Sequence, residues 1–144
     1  MNLKEFLLSR PKIIARAKLG DRFKGYLQDG RALMRGDLRM QNSEGRDLPL
    51  DLEQLKGIFF VRDYQGNKEY LEDKNLNGDP ERKGLRVRIR FEDNETMEGV
   101  IENSLEILQE NGFFFWPADP KANNELIFVV KSSLLGFRVL GVKS

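Results

Sequence analysis

The sequence contains no cysteine and no histidine among its 144 residues. Without cysteine, disulfide bonds, thiol catalysis and cysteine-ligated zinc or iron–sulfur sites are excluded. Without histidine, the chain lacks the base of most catalytic triads and the commonest ligand of transition metals. Only carboxylates, Lys, Tyr, Ser and Thr are left for chemistry, so we predict a protein that is not an enzyme, and we expect no cofactor and no metal site.

The chain also has little net charge and no long apolar run. Its 24 basic and 23 acidic residues give a net charge of +1, so no overall field attracts the protein to nucleic acid or to a membrane. The most apolar stretches, such as residues 58–61 and 126–130, are far too short to cross a bilayer. We therefore expect a soluble, cytoplasmic protein without membrane insertion.

A β pattern occurs twice along the chain, after a short helical segment. Residues 3–7 follow a helical pattern that Pro11 closes. Alternation of apolar and basic residues with a period of two begins at residue 12 and returns at residues 86–91. These patterns predict a mainly β protein behind a short N-terminal helix.

An alignment of the chain with itself suggests an internal duplication. Residues 12–27 lie over residues 86–101 without a gap and pair Gly25 with Gly99, at an offset of 74 (99 − 25). Residues 48–61 lie over residues 127–140 at an offset of 79 (127 − 48), which places the extra residues of the second copy in loops. Each copy then holds about five short strands, a density typical of a small bent-sheet barrel. We predict tandem duplicated small bent-sheet barrels, with the N-terminal helix and first barrel in residues 1–64, a polar linker in residues 65–84 and the second barrel in residues 85–144.

One late strand in each copy is apolar on both of its faces, at residues 58–61 and 127–130. A strand of this kind is covered on both faces in the folded protein. We therefore predict that the two copies pack against each other about an approximate two-fold axis, or that the chain dimerises.

Two distinctive motifs are FFVRDYQGN at residues 59–67 and GFFFWPADPKANN at residues 112–124. They resemble a bacterial domain family of unknown function found beside signalling-type domains. In that family a strand ending in FFVRD, an aromatic residue and a GN turn precede a barrel with an FPADP-like loop. The resemblance covers most of the chain from Ile13 onward and implies no known activity. The strand order of each copy is also similar to Sm-like barrels, although the final turn lacks the Lys-His or Arg-Gly dipeptides with which those proteins hold uridine.

Basic side chains alternate along the first strand of each copy, which makes nucleic acid a possible partner. Guanidinium groups about 7 Å apart on one strand face match consecutive phosphates. The alternative is a solvated face whose arginines pair with Glu92, Glu95 or Glu98 across the hairpin, and the near-zero net charge favours it. The candidate residues for RNA or other single-stranded nucleic acid are Lys12, Arg16, Lys18, Arg86, Arg88 and Arg90.

The aromatic run at residues 113–116 and the loop after it form a candidate interaction surface. Such a run can stack bases, but it is more often core on one face and interface on the other. No Arg or Lys interleaves with the rings, and Pro117 ends the strand at once, which favours the protein interface. Asp119 and Lys121 could also form an acid–base pair, although Pro-Ala-Asp-Pro first indicates a rigid turn. The candidate surface consists of Phe113, Phe115, Trp116, Asp119 and Lys121.

Arg35 and Arg39 stand four residues apart before an Asn-Ser-Glu-Gly segment. This arrangement loosely resembles the RxxxR and NxSxxG signature with which PilZ barrels bind cyclic di-GMP. Its second element is two positions too short and lies too close to the first, so nucleotide binding is the weakest alternative.

Taken together, the sequence favours a non-enzymatic binding or scaffolding module of unknown specificity. We expect protein–protein interaction in bacterial signalling or regulation, with an unknown protein or a second copy of the chain as the partner. Binding of RNA or single-stranded nucleic acid through the basic strand faces is the alternative, followed by cyclic di-nucleotide binding.

Overall fold

The structure is a computed structural model that describes residues 2–66, 68–76 and 81–144. Short helices and 3₁₀ turns connect the strands of one antiparallel sheet. The helices are α1 (Leu3–Leu8), α2 (Gly30–Met34) and α3 (Glu106–Gln109), and the 3₁₀ turns are Leu52–Gln54 and Lys131–Ser133. The strands are β1 (Lys12–Ala17), β2 (Arg22–Leu27), β3 (Met40–Gln41), β4 (Asp47–Leu48), β5 (Leu55–Val61), β6 (Gly84–Phe91), β7 (Thr96–Ile101), β8 (Gly112–Pro117), β9 (Asn124–Val130) and β10 (Leu134–Lys143).

The described strands form a ten-stranded sheet in the order β10-β6-β7-β8-β9-β5-β1-β2-β3-β4. The predictions of a mainly β protein and of a short N-terminal helix are confirmed. Helix α1 begins after Asn2, whose side chain accepts a hydrogen bond from the Glu5 amide. Leu7 is the buried residue of this helix. Among the described residues, no helix has the length and apolar character needed to cross a membrane.

Strand pairing follows the same register in the two halves. Ile13 lies opposite Gly25 in the first half, and Val87 lies opposite Gly99 in the second. Each of these glycines allows the next strand to approach closely. A Cβ atom at Gly25 would lie 2.0 Å from the carbonyl oxygen of Gln41, and one at Gly99 would lie 2.3 Å from that of Trp116. No side chain fits there, so the close approach of the next strand requires glycine at both positions.

The sheet differs from the two barrels that the sequence predicts, because its strand pairings do not close into a barrel. In the first half, β3 and β4 contain only two residues each. Strand β4 is therefore too short to pair with β5 and close a barrel. The outer edge of β5 pairs instead with β9, with Ile58 opposite Phe128. The two halves are therefore joined through a long antiparallel strand pair into one continuous sheet.

Two apolar cores lie on opposite faces of the β5–β9 pair. Ile58 and Phe60 of β5 belong to the core that contains Leu7 and Leu27. The intervening Phe59 belongs to the core of the second half. This arrangement explains why all seven residues of β5 are buried. A strand with a core on each side needs apolar residues at consecutive positions.

The described part of the predicted linker is hydrogen-bonded to the second half of the chain. The amide of Glu98 in β7 donates to the carbonyl of Lys74 at 2.8 Å, and a carboxylate oxygen of Glu98 accepts from the amide of Leu76, also at 2.8 Å. Residues 67 and 77–80 of this segment lie outside the described residues. The predicted domain boundaries stay a prediction.

Candidate functional site

Strand β10 stands at one end of the sheet and is the longest strand among the described residues. It pairs with β6 along one edge, from Leu134 opposite Phe91 to Lys143 opposite Gly84. Its outer edge pairs with no other strand in the part of the chain that the structure describes. The backbone groups on that edge point outward, as the edges of a sheet do unless another element covers them.

Five apolar side chains of β10 are exposed, whereas every residue of β5 is buried. Phe137, the central aromatic residue, is 42% exposed, and Val142 is 60% exposed. Soluble proteins rarely show contiguous apolar patches of this kind unless the patch is used for binding. The exposed apolar residues of the strand are Leu135, Phe137, Val139, Leu140 and Val142.

An apolar groove of about 500 Å³ lies between β10 and α3. The ring of Phe113 forms its floor and meets the ring of Phe137 edge to face, with 5.8 Å between the centroids. The ammonium group of Lys131 donates to the carbonyl of Ile107 and fixes α3 over the strand. We call this the β10 groove, and its principal lining residues are Leu85, Ile107, Leu108, Phe113, Phe137 and Val139.

A second, more polar groove of about 510 Å³ surrounds the single tryptophan. The guanidinium carbon of Arg82 lies 4.1 Å from the ring centroid of Trp116, a cation–π contact. Burial lowers the pKa of Arg82 from its ordinary value. Across the groove, the guanidinium of Arg62 pairs with the carboxylate of Glu125 at 3.1 Å. We call this the Trp116 groove, and its polar lining residues are Asn2, Arg62, Arg82, Glu102, Asp119 and Glu125.

The two sequence motifs meet beside the Trp116 groove. The side chain of Asn123 accepts a hydrogen bond from the amide of Asp63 at 3.0 Å and donates one to the carbonyl of Asp63 at 2.9 Å. The guanidinium of Arg62 donates to the carbonyls of Pro120 and Ala122. The motifs thus lock the end of β5 to the loop before β9, and this contact fixes the junction of the two halves.

Asp119, a candidate for the interaction surface, is engaged by three donors. Its carboxylate accepts from the hydroxyl of Tyr70 at 2.6 Å, from the amide of Lys121 at 2.9 Å and from the amide of Asp73 at 3.1 Å. The hydrogen bond from Tyr70, together with those two amides, holds the pKa of Asp119 below its ordinary value. The carboxylate of Asp119 therefore stabilises the conformation of the loop between β8 and β9.

The other aromatic candidates divide between the two cores. Phe115 is fully buried and Phe113 nearly so, both in the core of the second half. Phe114 and Trp116 point to the other face and pack against the core of the first half. Trp116 and Asp119 are thus the candidates that line the Trp116 groove, and Phe113 lines the β10 groove. Their use in an interaction stays a prediction.

Residues 9–141 match a family of unknown function, DUF6982. The match spans nearly the whole chain, including both motifs and all ten strands except the last two residues of β10. The chain belongs to this family. The prediction of an uncharacterised family is thereby confirmed. No curated protein and no solved structure matches the chain.

The basic candidates of this DUF6982 member lie on two separate strands. Four strands separate β1 from β6 in the sheet, and most of the basic side chains contact groups of the chain itself. The guanidinium of Arg88 pairs with Glu98 at 2.6 Å, and that of Arg16 lies 4.8 Å from the ring centroid of Phe59. The ammonium group of Lys12 lies over the ring of Tyr64, and that of Lys18 donates a hydrogen bond to the hydroxyl of Ser132. Arg86 is buried, and its guanidinium donates to the carbonyl of Gly84. Arg90 is exposed.

The pair Arg35 and Arg39 lies at the end of α2. Arg35 caps that helix, and the guanidinium of Arg39 pairs with Asp37 at 3.3 Å. The positive charges of both contribute to lowering the pKa of Asp29, after the larger effect of the hydrogen bond from the Ala32 amide. Asp29 is the N-cap of α2, so both arginines contribute to the electrostatics of a helix terminus.

A buried lysine that no sequence motif indicates joins the two halves. The side chain of Lys56 in β5 is 6% exposed, and its ammonium nitrogen lies 4.5 Å from the ring centroid of Phe91. It pairs with Asp93 and with Glu95 in the β6–β7 turn. The sequence feature that could have indicated this site is a single lysine within an otherwise apolar strand.

Among the described residues, no three His, Cys, Asp or Glu side chains come together in a way that could hold a metal ion.

Proposed function

We propose that the protein is a non-enzymatic binding and scaffolding module that docks a protein partner along the outer edge of β10. The observation that carries this proposal is the combination of a ten-residue edge strand and five exposed apolar side chains on it. A partner strand would satisfy the outward backbone groups, and its side chains would cover the β10 groove.

Several features support a protein rather than a nucleic acid at this edge. The core of a protein interface is depleted in charge and rich in aromatic and aliphatic residues, and the β10 groove has Phe113, Phe137 and Val139 in its lining. The nucleic-acid alternative has less support, because Arg88 is paired with Glu98 and Arg16 lies over an aromatic ring.

The scaffold itself consists, in this proposal, of two copies of one unit. Support comes from the register, because Ala15 pairs with Ile58 and Ile89 pairs with Phe137, at offsets of 74 (89 − 15) and 79 (137 − 58). In each half the fifth strand pairs with the first, and a 3₁₀ turn precedes it. This order is similar to that of Sm-like barrels. A role in bacterial signalling or regulation, in the cytoplasm, belongs to the same proposal.

The absence of catalysis is also part of the proposal. Asp119, which the sequence places in a possible acid–base pair with Lys121, is held by three hydrogen-bond donors. A carboxylate whose pKa is lowered in this way is a weak base. Its position in the Trp116 groove fits a structural role.

A photo-crosslinking amino acid at position 137 tests the proposed function in the native cell. The matched control carries the same probe at Lys24, an exposed position on β2 with six strands between it and β10. We expect a discrete crosslinked product from position 137 that the control does not give. Crosslinking at the level of the control would overturn the proposed docking surface.

A further inference from the structure

We propose that the partner on β10 is a second copy of this chain, with the two β10 strands antiparallel and related by a two-fold axis. This inference rests on the proposed function and names its partner. Three observations carry it: the way in which the chain covers the equivalent edge of β5, the chemistry of the two ends of the sheet, and the sequence of β10 itself.

The β5–β9 pair shows which kind of strand pairs with the edge of β5 that is equivalent to the outer edge of β10. Ile58 and Phe60 of β5 hold the positions that Phe137 and Val139 hold in β10, by the offset of 79. Strand β9 lies next to β5 in the sheet, and its apolar residues complete the first core. These residues are Leu126, Phe128 and Val130. The edge of β5 is thus covered by a long apolar strand, whereas the equivalent edge of β10 is paired with no strand among the described residues.

The opposite end of the sheet does not offer such a strand. Strand β4 has two residues and is followed by Pro49, which has no amide hydrogen to donate. By the same offset, Asp47 and Asp51 stand where Leu126 and Val130 stand in β9. Head-to-tail pairing of β4 with β10 would place carboxylates against the apolar groove, at a large desolvation cost.

A second β10 strand meets these requirements. It is long and apolar, and a two-fold axis normal to the sheet places the β10 grooves of both copies on the same face. Two β-bulges flank the stretch from Gly136 to Val139, which pairs regularly with β6. The pairing between the two β10 strands is centred on this regular stretch. With Phe137 on the axis, Leu135 of each copy lies opposite Val139 of the other, and Arg138 lies opposite Gly136. The register with Arg138 on the axis would oppose two like charges.

The size of the contact is sufficient for a specific dimer. Besides β10, the exposed side chain of Leu108 on α3 lies beside the groove and is 78% exposed. Two paired strands of this length, together with the groove residues of both copies, cover on the order of 1,000 Å², where specific interfaces begin. The contact would bury the largest exposed apolar strand of the described chain.

Sedimentation equilibrium over a range of micromolar concentrations tests the dimer on the purified full chain. We expect a reversible monomer–dimer equilibrium, and Phe137→Glu should weaken it at least about tenfold. Leu108→Glu changes an exposed residue and should weaken it in the same direction without any effect on folding. Gln28→Glu adds the same charge at an exposed position next to β2 and should leave the dimer unchanged. A monomer at all concentrations, or a dimer that both groove variants leave intact, would overturn the proposal.

Spin labels test the orientation, because the chain contains no cysteine that would compete for the label. Labels at Arg138→Cys should lie on the order of 10–20 Å apart across the strand pair, and labels at Lys24→Cys should show no such distance. A dimer without the short distance at position 138 would contradict pairing through β10.

The two proposals fail in different ways. Photo-crosslinking at position 137 to a different protein, with a monomer in sedimentation, would leave the docking surface standing and overturn the second copy as its partner. A monomer together with crosslinking at the level of the control would overturn both.

Discussion

Lys56 and Asp93 face each other across the junction of the two halves, with 2.7 Å between the ammonium nitrogen and the carboxylate oxygen. Lys56 belongs to the fifth strand of the first half, and Asp93 belongs to the first hairpin of the second. Glu95 accepts a further hydrogen bond from the same ammonium group. One buried cation therefore holds two carboxylates of the other half beside the strand pair that joins the cores.

Lys56→Met should destabilise the protein, because it keeps the side-chain volume and removes the charge that two carboxylates share. The carboxylate of Asp93 is half exposed and regains water, so we expect a loss of about 1–3 kcal/mol in the free energy of unfolding. Urea denaturation followed by circular dichroism measures it. Lys24→Met, on the exposed face of β2, is the control. Equal stability of the two variants would contradict a structural role of the buried lysine.

Asn123→Ala should weaken the contact between the two sequence motifs. The change removes one acceptor and one donor that bind the backbone of Asp63, and we expect a cost of about 1–3 kcal/mol. The neighbouring Asn124→Ala provides the control in the same denaturation experiment. The interpretation would be wrong if Asn124→Ala were the more destabilising of the two.

Arg82→Gln should change the fluorescence of the protein, since Trp116 is its single tryptophan and the guanidinium stands over the ring. We expect a shift in the emission maximum and a stability loss of at most about 2 kcal/mol. Lys121→Gln, in the neighbouring loop, should leave the emission spectrum as it is. An unchanged spectrum in Arg82→Gln would show that the contact is not formed in solution.

The stability of the protein should fall in acid, and Glu98 should contribute to that fall. The hydrogen bond from the Leu76 amide, followed by the interaction with Arg88, holds the pKa of Glu98 below its ordinary value of 4.5. Since the folded-state pKa is the lower one, the carboxylate stabilises the fold above the ordinary value, and this stability is lost as the pH falls through the folded-state pKa.

Glu98→Gln should therefore be less stable than the native chain at pH 7, by about 1–3 kcal/mol, and should lose less stability between pH 5 and 3. Urea denaturation at a series of pH values measures both effects. Asp21→Asn, at an exposed carboxylate in the β1–β2 turn, is the control. Parallel pH profiles for native protein and Glu98→Gln would contradict the account.

The strands and their faces could be predicted from local sequence. Alternation at Val87, Ile89 and Phe91 predicts β6, and all three residues are buried in the core of the second half. The doubly apolar run at residues 58–61 predicts a strand covered on both faces, and β5 lies between the two cores. Such patterns succeed because the side-chain period follows from backbone geometry alone.

The pairing of β5 with β9 could not be predicted in the same way. It joins residues some seventy positions apart, such as Ile58 and Phe128, and no local pattern encodes a partner at that distance. Helix α3 was also missed, since its four residues lie in a polar run that reads as a loop. For the candidate sites, the contact of Arg82 with Trp116 depends on the fold, whereas the apolar character of β10 was visible in the sequence.

Amide hydrogen exchange along β10 tests the central claim most directly. At low concentration, the outward amides of β10 should exchange quickly, while β9, which is paired on both edges, remains protected. At high concentration, protection of residues 135–142 should rise, and that of β9 should stay constant. An outer edge of β10 that exchanges equally fast at every concentration would contradict the claim that this strand receives a second copy of the chain.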